Sequence, residues 1–362
     1  MQDDKSPTAL GAFRVFDLSE SIAGQFCCRM LADYGAEVTL VEPPEGSITR
    51  RLPPFGRDGA DTASALFHHL NLGKNSLVVD HTTAEGRALL GELAKVADVF
   101  VVPAGFDRAS LRALNPKLIV AVVSPFGEDG PKRDWRGTEM IYQAMSGMMI
   151  QNGRNDREPL YGVGDRGSYC AGLATYSAIL SALLVRERTG TAQEVAIDIA
   201  HTVASMTYPF ALQFAYNGTL EGRDERIRPL VEVECADGWM AIFIRANGFE
   251  AMCEGLEAPD LITDPRFATG EARRDNFKEL VAEIQARVRS RKASDVVNAL
   301  ALRRVVAACC FKPTQLGPDA PHLKAREYWQ KAGDRLALGP QFRMSRTPRR
   351  APTASPSLGG RA

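Results

Sequence analysis

The sequence lacks an excess of charge of either sign, since Lys plus Arg and Asp plus Glu both number 44 in 362 residues. A balanced chain has no general electrostatic attraction for nucleic acid or anionic membrane, so neither is expected as a partner. It also lacks a clear membrane span. The longest apolar run, residues 170–185, contains Tyr176, Ser177 and Ser181 and is interpreted as a core helix. Anionic ligands must therefore be bound by local geometry.

Metal-ligand spacing is also lacking. The chain has seven Cys, including the pairs Cys27-Cys28 and Cys309-Cys310, but no CxxC or HxxxH pattern, so no metal site is expected. Neighbouring cysteines in apolar runs are poorly placed for disulfides, and the opening residues carry no secretory pattern. We therefore expect reduced, buried thiols in a cytoplasmic protein.

The first part of the chain alternates strand and helix patterns. Residues 14–18 read as a buried strand, residues 22–34 have helical apolar spacing ending at Gly35, and residues 37–41 read as a second strand. A strand, a helix and a strand within about thirty residues form a βαβ crossover, which implies parallel pairing. The alternation continues to residue 123 and predicts an α/β fold with a doubly wound, Rossmann-like parallel sheet.

A change of pattern near residue 230 predicts a second domain. Residues 231–235 alternate with period two, and Asp237-Gly238 joins them to the run 239–244, which is a strong hairpin signal. We predict a smaller α+β domain at 225–325 and a large α/β domain built from 1–224 and 326–362. The tail after Arg335 is rich in Pro, Ser and Arg and is expected to be extended and partly mobile.

Several motifs, in order along the chain, resemble those of class III coenzyme A transferases, the family that includes carnitine-CoA and formyl-CoA transferases and acyl-CoA racemases. The phrases are Ile22-Ala23-Gly24, Met30 to Val38, Val41-Glu42-Pro43, Asn71 to Ser76, Asn115 to Ile119, Ser124 to Pro131, Gln143 to Gly147, Arg186 to Gly190, Asp264 to Phe267 and Pro321 to Arg326. The resemblance covers about residues 11–360.

The resemblance implies a fold, substrates and an assembly. The implied large domain is made from both ends of the chain, with the small domain inserted, and two chains interlock as a ring-like dimer, either with a copy of this chain or with a homologous subunit. The implied substrates are an acyl-CoA thioester and a carboxylic acid, with no bound cofactor. Asn71, Lys74, Arg50 and Gly24 are the CoA-binding candidates that it suggests.

The catalytic carboxylate of the family is missing from its usual place. Moving CoA between acids needs a nucleophile that keeps the acyl group activated, and a carboxylate does so by forming a mixed anhydride, which the CoA thiolate reopens. In the family this group is an Asp just before the long helix, and a gapless count puts Ser168 there, with Gly172 in register. The nearest carboxylate in sequence is Asp165, in a glycine-rich loop.

Two interpretations follow for this chain. The leading hypothesis is that it is the silent subunit of a heteromer whose other chain holds the Asp. The alternative is a self-sufficient homodimeric transferase that uses Asp165. A racemase is disfavoured because the relatives' His and Asp positions read Thr138 and Ser168. A nucleotide-binding oxidoreductase is disfavoured too, because the GxGxxG pattern at 162–167 has no strand leading into it.

Overall fold

The computed structural model describes residues 8–56, 64–219, 230–339 and 341–361. The strands are β1 (Arg14–Asp17), β2 (Glu37–Glu42), β3 (Asn75–Val78), β4 (Val99–Pro103), β5 (Ile119–Ser124), β6 (Glu194–Asp198), β7 (Leu230–Cys235), β8 (Gly238–Phe243), β9 (Ala307–Cys309), β10 (Trp329–Ala332) and β11 (Arg335–Leu338). The helices are α1 (Ile22–Asp33), α2 (Ala65–Asn71), α3 (Ala84–Val96), α4 (Arg108–Leu114), α5 (Glu139–Met145), α6 (Arg166–Thr189), α7 (Ile199–Met206), α8 (Tyr208–Asn217), α9 (Phe249–Gly255), α10 (Asp260–Thr263), α11 (Gly270–Asp275), α12 (Phe277–Val288), α13 (Ala293–Leu302) and α14 (Pro321–Ala325).

The chain divides into two compact units. The larger comprises residues 1–153, 159–220 and 325–362, and the smaller comprises 154–158 and 221–324. The larger unit holds a six-stranded sheet in the order β3-β2-β1-β4-β5-β6, with every neighbouring pair parallel. This confirms the predicted doubly wound α/β fold, since the strand order reverses between β1 and β4.

Alternate residues of the central strands face two separate cores. One face presents Val15, Val99, Val101, Ile119, Ala121 and Val123 to helices that include α1 and α6. The other presents Phe16, Phe100, Val102, Val120 and Val122 to α3 and α4. Because helices cover both faces, the strands are apolar on both sides, as a buried parallel sheet requires.

Helix α1 begins and ends as the sequence predicts. The Ser21 hydroxyl caps its start by accepting a hydrogen bond from the Gly24 amide, at 3.1 Å. Beyond its last residue, Gly35 adopts φ of +113°, a conformation that glycine takes without steric cost. The chain therefore turns after α1 and enters β2, which pairs with β1.

The smaller unit contains the predicted hairpin. Strands β7 and β8 pair antiparallel, with Cys235 opposite Gly238 at the turn, and β9 adds to β8. Helices α9, α12 and α13 pack on this sheet around a core that includes Val233, Met240 and Leu280.

Residues 341–361 of the C-terminal tail pack against other parts of the larger unit. The rings of Tyr34 and Phe342 stack with centroids 4.1 Å apart, and the Tyr34 hydroxyl donates to the Phe342 carbonyl. Further along, the Arg350 amide donates to the Asp33 carbonyl, and the Ser76 amide donates to the Gly360 carbonyl. Both ends of the chain thus contribute to one unit.

Candidate active site

One pocket lies where the strand order of the large sheet reverses. In open parallel sheets, ligands bind outside the carboxyl ends of the strands at this point. A pocket of about 550 Å³ opens there, lined by residues that follow β1, end β4 and follow β5 and β6. Its polar lining consists of Ser19, Glu20, Ser21, Thr138, Glu139, Tyr142, Asp165 and Ser168.

A smaller pocket of about 190 Å³ shares part of this lining. Ser19, Glu20 and Pro103 border both pockets, and the smaller one continues over the ends of β1 and β2 to Glu42 and His81. The two spaces together follow the carboxyl edge of the sheet on both sides of the switch point.

The start of α6 holds a buried carboxylate that comes from another helix. Glu139, the first residue of α5, is 8% exposed. Its Oε1 accepts hydrogen bonds from the Gly167 amide at 2.7 Å and from Gln143 Nε2 at 2.9 Å. Its Oε2 accepts from the amide and the hydroxyl of Ser168, both at 3.1 Å. The carboxylate therefore occupies the N–H groups that a helix start leaves free, where negative charge is stabilised.

Gly167 makes room for this carboxylate. A Cβ at this position would lie 3.0 Å from Glu139 Oε1 and 2.4 Å from Val203 Cγ2. A side chain here would push α5 and α7 away from the start of α6. Small size at Gly167 is thus part of the site.

Asp165 lies at the same end of α6, but its carboxyl group does not bind the free amides of the helix as Glu139 does. It is the N-cap residue, but its side chain makes no capping hydrogen bond. Burial and, secondly, the charge of Glu139 raise the pKa of the half-buried Asp165 carboxyl. Burial, with Glu139 as the next cause, also raises the pKa of Tyr142 to about 12, so its hydroxyl stays neutral. Two carboxyl groups thus face the pocket beside Ser168.

Lys74 and Asn71 belong to a buried hydrogen-bond network. The Lys74 ammonium donates to Asp17 Oδ2 at 2.9 Å, to the Gln25 carbonyl at 2.8 Å and to Asn71 Oδ1 at 2.9 Å. These contacts use all three donors of an ammonium group. Both side chains are fully buried. Asp17 Oδ1 in turn accepts from the hydroxyl of Ser19 at 2.6 Å, so the network positions a residue that lines both pockets.

Arg50 is bound to a carboxylate of the protein itself. Its guanidinium makes a bidentate pair with Glu42, at 2.7 and 2.6 Å, and stacks 3.9 Å from the Phe67 ring centroid. Burial would raise the pKa of Glu42, but hydrogen bonds from Arg50, Ser47 and Ser76 outweigh it and lower that pKa. Arg50 therefore braces the loop after β2.

Gly24 is needed for packing at the start of α1. A Cβ there would lie 2.3 Å from the Ser19 hydroxyl oxygen. Of the four predicted CoA-binding residues, Asn71, Lys74, Arg50 and Gly24, none lines either pocket in the described part of the chain. Their contact with CoA stays a prediction, and the geometry shows them supporting the pocket walls.

Sequence reasoning named Asp165 and Ser168, which do line one pocket, but it passed over Glu139. The only signal was an acidic residue in the first turn of a helix, which dipole stabilisation explains without any function. Among the described residues, no group of three or more His, Cys, Asp or Glu side chains is arranged to hold a metal ion. The site is therefore built from carboxyl groups, hydroxyls and a helix terminus.

A doubly wound parallel sheet with an acidic pocket over its switch point defines an α/β enzyme architecture. Residues 10–362 match CoA-transferase family III. Succinate–glutarate CoA-transferase from Agrobacterium fabrum is 31% identical, over 99% of this chain and 94% of that protein. Succinyl-CoA:mesaconate CoA-transferase from Haloarcula hispanica is 32% identical, over 98% of this chain and 93% of that protein. The chain belongs to CoA-transferase family III.

Solved structures agree. A CAIB/BAIF family protein from Brucella suis superposes with a TM-score of 0.89 and is 31% identical, with 97% of each chain covered. Rv3272 from Mycobacterium tuberculosis superposes with a TM-score of 0.85 at 26% identity, with 98% of each chain covered. The resemblance drawn from the motifs is thus confirmed at the level of family and fold.

Proposed function

We propose that this chain moves CoA from an acyl-CoA thioester to a carboxylic acid, and that it does so with a carboxylate of its own pocket. The observation that carries the proposal is the 550 Å³ pocket with Glu139 and Asp165 at the start of α6. A pocket carboxylate can attack the thioester, hold the acyl group as a mixed anhydride and release CoA thiolate. The same steps in reverse load the second acid.

Dicarboxylic acids are the substrate class that we propose. The names of the relatives include succinate, glutarate and mesaconate, in each case with CoA transfer. We propose that CoA itself binds along the edge that joins the two pockets, because nucleotides bind at such switch points. Lys74, Asn71, Arg50 and Gly24 serve this binding by fixing the loops that border it.

A second candidate role is favoured by one observation. Ser168 replaces the carboxylate implied by the family resemblance, and a hydroxyl cannot form an acyl anhydride. The chain is then the silent subunit of a heteromer and relies on a homologous chain that has the Asp. This was the leading hypothesis from the sequence.

An interlocked dimer, with itself or with that homologue, is supported by helix α6. The helix is apolar enough by length and composition to cross a membrane, but less than half of its most apolar part is buried. Leu173, Leu184 and Val185 are exposed on it. We propose that a second chain covers this face in a cytoplasmic protein.

CoA-transfer activity of the purified chain tests the proposal. Succinyl-CoA would be supplied with a panel of mono- and dicarboxylic acids, and new acyl-CoA thioesters would be quantified by mass spectrometry. Turnover by the chain alone supports self-sufficiency. Turnover only after addition of a homologous, Asp-bearing chain supports the silent-subunit role, and no turnover in either case contradicts CoA transfer.

A further inference from the structure

Ser168, which stands at the position of the family Asp, is in contact with a carboxylate from a neighbouring helix. The hydroxyl oxygen of Ser168 lies 3.1 Å from Glu139 Oε2, so the two groups are in hydrogen-bond contact. We infer that Glu139, reaching in from α5, is the carboxylate that accepts the acyl group in this chain. The inference rests on the proposed CoA transfer and names the nucleophile for it.

Burial and position suit Glu139 for this role. Its side chain borders the 550 Å³ pocket while remaining 8% exposed, so it is both reachable by a ligand and screened from bulk water. Two backbone amides of α6 and the Gln143 amide fix its orientation. A nucleophile held in one orientation needs little reorganisation to reach a thioester carbon.

The hydrogen bonds also show how the anion is made available. An ionised carboxylate has about four lone-pair positions, and all of them are engaged here. Three donors are amides held by α5 and α6. The fourth is the Ser168 hydroxyl, which rotates about a single bond. When it turns away, Oε2 loses one donor and a lone pair becomes free to attack, so Ser168 acts as a positioning residue.

The step balances with the two substrates alone. Glu139 Oε2 forms a bond to the thioester carbonyl carbon, the carbon–sulfur bond breaks, and CoA leaves as the thiolate. The thiolate then attacks the Glu139 carbonyl, giving a glutamyl-CoA thioester and the free first acid. The carboxylate of the second acid then attacks the glutamyl-CoA thioester, which releases CoA thiolate and joins the second acid to Glu139 as a mixed anhydride. The thiolate finally attacks the carbonyl carbon of the second acid in this anhydride, which gives the new acyl-CoA and restores the Glu139 carboxylate.

Asp165 is the competing carboxylate. It lines the same pocket, but its side chain does not accept from the free amides of α6, which go to Glu139. Of these two carboxyl groups, Glu139 is the one whose side chain is hydrogen-bonded to Ser168, the residue at the family position. The geometry therefore favours Glu139 as nucleophile and leaves Asp165 as its neighbour.

Trapping of the covalent intermediate tests the inference. The full chain would be incubated with succinyl-CoA, treated with hydroxylamine or with borohydride, digested and analysed by peptide mass spectrometry. We expect the hydroxamate or the reduced alcohol on Glu139. Glu139→Gln should lose label and lower turnover by about a thousandfold or more, as removal of a nucleophile does.

Two variants serve as references. Glu187→Gln makes the same chemical change at the exposed far end of α6 and should keep both label and turnover. Asp165→Asn leaves Glu139 in place and should still be labelled there. If Glu139→Gln fails to fold, the labelled position in the unaltered chain still decides the question.

The outcomes separate the two proposals. Turnover with the label on Asp165, on Ser168 or on no residue overturns the assignment of Glu139 and leaves CoA transfer standing. Absence of turnover with every acid, alone and with a homologous chain, overturns the proposed function and the inference with it. Turnover that appears only with the homologue, with the label on the homologue, overturns the inference alone.

Discussion

The Lys74 ammonium and the Asp17 carboxylate lie 2.9 Å apart, and both side chains are completely buried. They join the last residue of β1 to the residue that precedes β3. Because water cannot reach either charge, each one depends on the other and on the neutral groups around it. Asp17 also accepts hydrogen bonds from the amide and the hydroxyl of Ser19, a residue that lines both pockets.

Removing Lys74 should destabilise the fold strongly. In Lys74→Met the Asp17 carboxylate stays buried without its partner, and we expect a loss of about 3–5 kcal/mol in the free energy of unfolding. Urea denaturation measures it. The exposed pair Lys95–Glu92 supplies the control, since Lys95→Met should change little. Normal stability with weakened CoA binding would instead mean that Lys74 contacts CoA directly.

Asp165→Asn should stabilise the chain near neutral pH. The pKa of Asp165 is raised in the folded state, first by burial and then by Glu139, so its ionisation opposes folding. That penalty is full above the raised pKa and disappears as the pH falls below the unfolded value of about 3.9. Urea denaturation at neutral and acidic pH would show the gain and its disappearance. Asp264→Asn should behave oppositely, because hydrogen bonds from Arg266 lower the pKa of Asp264.

His69 should make the fold sensitive to mild acid. Burial first, then the charge of Arg29, lowers the pKa of His69 to about 3, and Arg29 Nη1 lies 2.7 Å from its Nδ1. The unfolded ring takes up a proton near its usual pKa of about 6.5, so stability is full above that value and falls as the pH drops toward 3.

His69→Gln tests this effect. The variant should remove part of the acid-side slope in the free energy of unfolding, measured by urea denaturation across this range. The exposed His322→Gln should leave the slope unchanged. An unchanged slope in His69→Gln would show that other groups cause the loss of stability at acidic pH.

The α/β architecture was readable because its signals are local. Gly35 ends α1, and Asp237-Gly238 turns the hairpin, each through backbone conformation that a few residues determine. Strand β6, at the edge of the sheet, was missed. Its apolar run is only three residues long, Val195 to Ile197, with an acidic residue on each side, so pairing with β5 defines it. The predicted helix at 200–216 is instead two helices, α7 and α8, which are separated at Thr207, and the continuous apolar pattern does not show this break.

The acidic site was only partly readable, because its key contact is not local. Glu139 and Gly167 are 28 residues apart and meet only when α5 packs beside α6. The glycine-rich loop before α6 indicated a special backbone, but its sequence does not show which carboxylate the helix start would receive. A missing Asp in a motif thus shows which residue is absent and not which residue replaces it.

Ser168→Asp distinguishes the two roles proposed for this chain. If Glu139 is the nucleophile, an Asp at 168 brings a second carboxylate to where the Ser168 hydroxyl now lies 3.1 Å from Glu139 Oε2. Two carboxylates at such a distance cannot both ionise easily, so they share a proton and the pKa of one rises. CoA-transfer activity at neutral pH should then fall. The variant should also need a higher pH than the unaltered chain to reach its full activity.

The silent-subunit role requires the opposite result. If the chain lacks only the family Asp, Ser168→Asp supplies it, and turnover should appear in a chain that had none alone. Ser168→Ala provides the matched comparison, since it removes the hydroxyl without adding charge and leaves Glu139 Oε2 one donor short. Steady-state rates of both variants across pH, with succinyl-CoA and one accepted acid, decide between the two roles. Retained activity in Ser168→Ala with a loss in Ser168→Asp is the result expected from Glu139 catalysis.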